Sequence, residues 1–185
     1  MDAIDLFSGC GGFSSGFINA GFTITHAVEY DKMIADSYIA NHPDTIMFNY
    51  DISNIDELCL FNNITTDVII GGPPCQGFSM AGSRIRDGFV DDPRNYLFKH
   101  YLNIVASLRP KCFLMENVKG LLTMKKGYVF KDMISSFHDI GYHIGYKLIN
   151  SYDFGIAQKR ERIIIIGCIN KIDDINILFK KQKKK

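Results

Sequence analysis

The chain has 185 residues, 46% of them apolar and 22% charged, which suits one domain with one sizeable core and excludes a fibrous or disordered chain. Of its 21 basic residues, five are Lys180, Lys181, Lys183, Lys184 and Lys185; the body is therefore acidic, at 16 basic against 20 acidic residues. A nucleic-acid enzyme with such a body must gather positive charge locally or borrow it from another chain, and the lysine tail reads as a solvated end.

The start, Met1-Asp-Ala-Ile-Asp5, is acidic where a secretory signal needs positive charge, and no apolar run approaches bilayer-spanning length. The expected location is the cytoplasm, without a membrane partner. Five scattered cysteines (Cys10, Cys59, Cys75, Cys112, Cys168) include no C-x-x-C pair, which predicts neither a disulfide framework nor a structural zinc site, and no metal. Cys112 and Cys168 lie in apolar runs and read as separate core residues.

In chain order, Ala3 to Phe7 reads as a strand entering the turn Ser8-Gly-Cys-Gly-Gly12, and Phe13 to Ala20 as a helix closed by Gly21. Ile24 to Tyr30 is a second strand, and Asp31 caps a helix that runs to about Asn41. Thr45 to Tyr50 is a third strand, Ile52 to Phe61 a weak helix, and Asp67 to Ile70 a buried fourth strand. The segment from Gly77 to Asp92, rich in Gly, Arg and Asp, reads as a functional loop. A helix follows from Asn95 to Leu108, then a strand from Cys112 to Met115 that terminates in Glu116-Asn117. A helix from Val129 to Ile140 and two closing strands, His143 to Ser151 and Arg162 to Cys168, complete the pattern. The alternation predicts an α/β, doubly wound, mostly parallel sheet with a closing antiparallel strand.

Chemistry concentrates where strands end. In Asp67-Val-Ile-Ile-Gly-Gly-Pro-Pro-Cys-Gln-Gly-Phe-Ser79 the strand meets a double proline that cannot continue it, so Cys75 is presented at the rim where open α/β sheets bind ligands. A bland turn cysteine is the competing reading. The glycine turn misses the dinucleotide fingerprint, having Ser14 where the last glycine would stand. Glu29 can accept from ribose hydroxyls, Tyr30 can lie against a purine, and Asp51 can accept from an exocyclic amine; singly each would be a water-facing strand end. Glu116 emerges beside Cys75, where a carboxyl can share a proton with a substrate nitrogen. In extended chain Gln158, Arg160 and Arg162 point one way and offer planar donors.

Together these stretches resemble the cytosine-5 DNA methyltransferase family, over almost the whole chain and in the family's order. Asp5-Leu-Phe-Ser-Gly-Cys-Gly-Gly-Phe13 is similar to its methyl-donor turn, Gly72-Pro-Pro-Cys-Gln-Gly-Phe-Ser79 to its nucleophile loop, Met115-Glu-Asn-Val118 to its acid motif, and Gln158-Lys-Arg-Glu-Arg162 to its arginine motif. The resemblance implies an S-adenosylmethionine-dependent methyltransferase domain over residues 1–170, with a basic tail at 171–185. It places Phe7, Gly9, Cys10, Gly12, Glu29, Tyr30, Asp51, Ile52, Gly72, Pro74 and Leu97 around the donor. It implies that Cys75 adds as a thiolate to carbon 6 of cytosine, with Glu116 at ring nitrogen 3, Arg162 at the carbonyl oxygen and Arg160 placing the loop. It further implies double-stranded DNA as partner, a base flipped out of the helix, and contacts from Gln76, Ser79, Ser83, Arg84, Arg86 and Gln158. Restriction-modification is the implied setting.

Ala157 stands where the family usually has proline. The family's target-recognition region and final Asn-containing motif have no counterpart here, so the expectation is a catalytic half whose second polypeptide supplies recognition. The rival readings are an inactive remnant that binds donor or DNA, a family member acting on transfer RNA cytosine, and a nicotinamide-dependent thiol enzyme.

Overall fold

The computed structural model describes residues 1–54, 60–74 and 96–171. Within them β1 (Asp2–Leu6), β2 (Thr23–Val28), β3 (Ile46–Phe48), β4 (Val68–Gly71), β5 (Cys112–Val118), β6 (His143–Asn150) and β7 (Glu161–Cys168) form one sheet, ordered β3-β2-β1-β4-β5-β7-β6. The α-helices described are α1 (Gly12–Asn19), α2 (Lys32–Asn41), α3 (Tyr96–Leu108) and α4 (Tyr128–Asp139). The first five strands in the chain pair in parallel, and β7 lies antiparallel between β5 and β6. This is the doubly wound, mostly parallel sheet with an antiparallel closure that the strand-helix alternation predicts.

The two faces carry different cores, because successive strand residues point to opposite sides. Ile4, Leu6, Ile69, Phe113, Met115, Ile163 and Ile165 meet Tyr101, Ile104, Val105 and Phe137 on one face. There Phe113 stacks on Phe137 with ring centroids 4.2 Å apart. On the other face Ala3, Ile24 and Ile70 pack with Phe13, Phe17 and Phe22. Asp31 caps α2 as expected, its side chain accepting from the Met33 and Ile34 amides at 2.8 and 3.1 Å. No helix among the described residues is long and apolar enough to cross a membrane.

Several expectations are corrected. β5 does not stop at Met115: it continues through Glu116 and Asn117, because β7 supplies ladder partners as far as Val118 opposite Arg162. β3 is shorter than Thr45 to Tyr50, and Ile52–Asn54 is a 3-10 turn, with 55–59 outside the described residues. Two further 3-10 turns, Lys119–Leu122 and Met124–Gly127, precede α4. In the second, Lys125 and Lys126 have φ of 44° and 57°, a left-handed geometry that no periodicity announces.

Cys112 and Cys168, expected as separate core residues, are joined as a disulfide. The antiparallel register puts them directly opposite, with Cα atoms 4.1 Å apart. A sequence separation of 56 residues conceals this proximity.

At the centre of the sheet, a Cβ on Gly71 would strike the Leu6 carbonyl of β1 and come within 3.1 Å of the Tyr101 ring. Gly71→Ala is therefore expected to cost about 1–3 kcal/mol. Urea unfolding followed by circular dichroism checks this; an unchanged midpoint would show that the β1–β4 pair yields freely.

Candidate active site

β1 and β4 are neighbours, yet the chain leaves them in opposite directions across the sheet: toward β2 and β3 from one, toward β5 from the other. Such a switch point opens a crevice at the C-terminal strand ends, where α/β sheets take their ligands. The glycine turn follows β1 and the proline corner follows β4, so both border this crevice.

The glycine turn is bent by three left-handed residues, Phe7 (φ 56°), Gly9 (φ 57°) and Gly11 (φ 89°). Phe7 is the non-glycine outlier, of the kind that persists where surrounding structure holds it. The Ser8 amide donates to the Val28 carbonyl and the Gly11 amide to the Ser8 carbonyl, each at 3.0 Å. Glu29, just past β2, ties this turn to the next: Oε2 accepts from the Gly9 amide and Oε1 from the Asp31 amide, both at 2.9 Å. Each oxygen keeps a further lone pair. Tyr30 beside it is 71% exposed, leaving its ring open to a planar partner.

Asp51 holds the 3-10 turn after β3, with Oδ1 accepting from the Ser53 amide and hydroxyl and Oδ2 from Asn54 at 3.4 Å. Ile52 is buried in the main core, and Leu97 packs partly buried against that core from α3. Cys10 and Gly12 are at the turn itself, Cys10 as an exposed free thiol. The strand ends thus assemble acceptors and an exposed aromatic ring around one edge, a set that fits a nucleoside's hydroxyls, amine and ring.

The second cluster lies one strand away. Arg162 Nε approaches Glu116 Oε1 at 2.7 Å, and an Arg160 guanidinium nitrogen approaches the same oxygen at 3.8 Å. Glu116 and Arg162 are about three-quarters buried, so their pairing is less screened than that of a surface pair. Oε2 lies over Gly72, where a Cβ would stand 3.4 Å from it. A Cβ there would be in ordinary van der Waals contact with the carboxylate, so the approach does not itself demand glycine. One oxygen is held by guanidinium and the other faces the strand edge, a geometry that can orient a polar ring. Lys119 pairs with Glu161 at 2.9 Å beside this cluster.

Glu116, Arg160 and Arg162 are therefore brought together, with Gly72 beneath them. Gln158 is exposed in the irregular segment before β7, and Pro74 is exposed at the corner. Cys75, Gln76, Ser79, Ser83, Arg84 and Arg86 lie outside the described residues. Among the described residues no group of three or more His, Cys, Asp or Glu side chains could hold a metal ion.

Two features escaped sequence reasoning. Asn117 is 4% exposed, and its side-chain amide donates to the Pro73 carbonyl at 3.0 Å, clamping the proline corner to β5. The signal was there: a polar residue in register with the core-facing Phe113 and Met115 needs a buried partner. Asp5, also buried, bonds to Ser14; a charged residue between Ile4 and Leu6 in a buried strand was its signal.

The family model for the C-5 cytosine-specific DNA methylase matches residues 1–185. The chain belongs to this family. It is similar to the type II methyltransferase M1.HphI of Haemophilus parahaemolyticus, 46% identical over 89% of this chain and 45% of that protein. It is also similar to M.AquIA of Picosynechococcus, 39% identical over 89% of this chain and 70% of that protein. A prophage-encoded Escherichia coli protein solved as a DNA modification methyltransferase superposes with a TM-score of 0.77 at 34% identity, over 91% of this chain and 46% of its own. The chain spans about half the length of several curated relatives it matches. In this methylase-family chain the Glu116 cluster joins two stretches singled out from sequence, Met115-Glu-Asn-Val118 and Gln158-Lys-Arg-Glu-Arg162.

Removing the Asn117 clamp leaves the buried Pro73 carbonyl without its donor, so Asn117→Ala is expected to lose about 1–3 kcal/mol of stability. Denaturant unfolding checks this, and a loss below a few tenths of a kcal/mol would show that the corner is held by other contacts.

Proposed function

We propose that the chain is the catalytic portion of a DNA (cytosine-5) methyltransferase that uses S-adenosylmethionine. The observation that carries this reading is the Glu116–Arg162 pair, joined by Arg160 and seated over Gly72 at the corner that leads to Cys75. When bound, S-adenosylmethionine supplies an electrophilic methyl group on a positively charged sulfur. Glu29 holds the ribose hydroxyls through its remaining lone pairs, Tyr30 covers the purine and Asp51 accepts from its exocyclic amine.

Carbon 5 of cytosine is a poor nucleophile, and the protein's task is to make it electron-rich. The Cys75 thiolate forms a bond to carbon 6, and the electron pair of the ring double bond shifts to carbon 5 and onto the nitrogen 3 side of the ring. An ordinary thiol ionises near ~8.5, so the surroundings of Cys75 must favour its anion. Glu116 holds the proton at nitrogen 3 that disperses the negative charge. Arg162 orients Glu116 and donates to the carbonyl oxygen, while Arg160 places the loop. Carbon 5 takes the methyl group, a base removes its proton, and the sulfur–carbon 6 bond breaks to restore the double bond and free Cys75. The target must leave the base stack for this to happen. The segment around Ser83, Arg84 and Arg86, with Gln76, Ser79 and Gln158, contacts the DNA around the extruded base.

Sequence recognition is assigned to the region that these relatives carry beyond the portion they share with this chain. That region is also where positive charge to balance the acidic body is expected.

The test is transfer of labelled methyl groups from S-adenosylmethionine to DNA and, in parallel, to transfer RNA, by the chain alone and with the polypeptide encoded beside it. Transfer to DNA cytosine is expected from the pair, none with Cys75→Ala, and about 100-fold or slower transfer with Glu116→Gln. Transfer that survives Cys75→Ala overturns the covalent route, transfer to RNA alone overturns the DNA substrate, and no transfer in any combination overturns the catalytic reading.

A further inference from the structure

Positive charge gathers at one place on the acidic body. From Asn117 to Lys131, directly after Glu116, the chain carries four lysines (Lys119, Lys125, Lys126 and Lys131) and no acidic residue. All four are exposed. Leu121, fully buried, pins the first 3-10 turn of this stretch to the core. The second turn packs on the first, so closely that a Cβ on Gly127 would stand 3.3 Å from the Leu122 carbonyl.

The direction of α4 shows which rim of the sheet these lysines occupy. The chain just past its end is tied to the start of β5, by the Tyr142 hydroxyl on the Pro110 carbonyl at 2.7 Å and by an Arg109 guanidinium on the Ile140 carbonyl. Phe137, in its last turns, stacks on Phe113 near the start of β5, whereas Phe130, in its first turn, meets the Tyr146 ring of β6 at 4.7 Å. A helix of 12 residues is about 18 Å long. Running against β5, α4 therefore begins near the rim where β5 ends, and Lys125 and Lys126 stand on the same side of the sheet as Glu116. Lys119 marks that rim directly, since it pairs with Glu161 at the start of β7.

The backbone does not explain why lysine is used here. Lys125 (φ 44°, ψ 48°) and Lys126 (φ 57°, ψ 30°) are both left-handed, and Gly127 (φ 85°) continues the turn. Glycine or asparagine adopts that geometry more readily than lysine does. What lysine adds at these two positions is a pair of positive charges beside the crevice.

We propose that the turn Met124–Gly127 is a phosphate-contact ledge, on which Lys125 and Lys126 hold the sugar-phosphate backbone of duplex DNA beside the base that enters the Glu116 site. This rests on the DNA reading above. Ammonium groups on phosphates position a duplex without reading its sequence, and each neutralised phosphate releases condensed counterions. Orientation of the duplex then belongs in part to this chain, separately from sequence recognition.

The test is fluorescence anisotropy of a labelled duplex with the full chain across a range of salt concentrations, for the wild type and for the double variant Lys125→Asn with Lys126→Gly. Both replacements accept the left-handed backbone, so the melting temperature is expected not to fall. The slope of log affinity against log salt is expected to shrink by about 2, from about 0.9 for each lost phosphate contact, alike on duplexes of different sequence. The lysine tail acts equally in both proteins and cancels in the difference. Lys125→Arg with Lys126→Arg keeps the charge and is expected to keep the slope. A wild-type slope in the Lys125→Asn, Lys126→Gly protein overturns the inference and leaves the catalytic reading standing, and so does a slope lost equally with the two arginine replacements. If the first double variant fails to fold, Lys126→Gln decides: a loss of about 1 in slope is expected, and no loss overturns the inference. A loss seen on transfer RNA but not on duplex DNA overturns the assignment to DNA. A wild-type chain that binds no duplex at low salt overturns the ledge, while the methyl-transfer assay still judges the catalytic reading.

Discussion

The register between β5 and β7 is the constraint on which the rest of the site depends. Glu116 lies opposite Ile164, and Arg162 lies opposite Val118. Glu116 and Arg162 are therefore diagonal neighbours on one face of an antiparallel pair, close enough for a long guanidinium arm to reach the carboxylate. A slip of one residue would turn Arg162 to the opposite face and bury its charge beside Phe113 and Met115. Gly167 opposes this slip, because it lies opposite Phe113, whose ring would strike a Cβ there, and a shift of one residue would bring Ile166 or Cys168 to that place. The position of the ion pair is thus set by close packing of the core against Gly167 more than by its own electrostatics.

The same division of labour recurs at the glycine turn. Apolar strands fix where β1 and β4 end, and polar bonds then shape the loops that follow. Glu29 bridges the first two loops, and Asn117 holds the corner after β4. These polar clamps cost desolvation, which their hydrogen bonds offset only when geometry is good. Asp5 is the place where the balance is closest, a carboxyl bonded at one oxygen and bare at the other.

Most of the architecture was legible because local signals agreed: β-branched runs for the parallel strands, Asp31 for a cap, Gly21 and Gly141 at the ends of α1 and α4. The grouping of Glu116, Arg160 and Arg162 was implied only by the resemblance to the methyltransferase family, through the two motifs that carry them. What stayed hidden depends on contact across the sheet. The Cys112–Cys168 bond, the reach of Asn117 to Pro73 and the line from Asp5 through Ser14 to Tyr38 join residues whose sequence distances carry no periodic signature. The turn at Lys125 and Lys126 was hidden for another reason, since lysine gives no hint of a left-handed backbone.

The direction of β7 has a geometric corollary. Because this strand runs against its neighbour β5, it enters beside the Glu116 carboxylate and leaves at the opposite rim, where the Ile169 amide donates to the Lys111 carbonyl. Six residue steps of extended chain separate Arg162 from Cys168, a climb of about 20 Å. Any polypeptide that continues from β7 starts on the far shore from Glu116 and Arg162 and must span the height of the sheet to reach them.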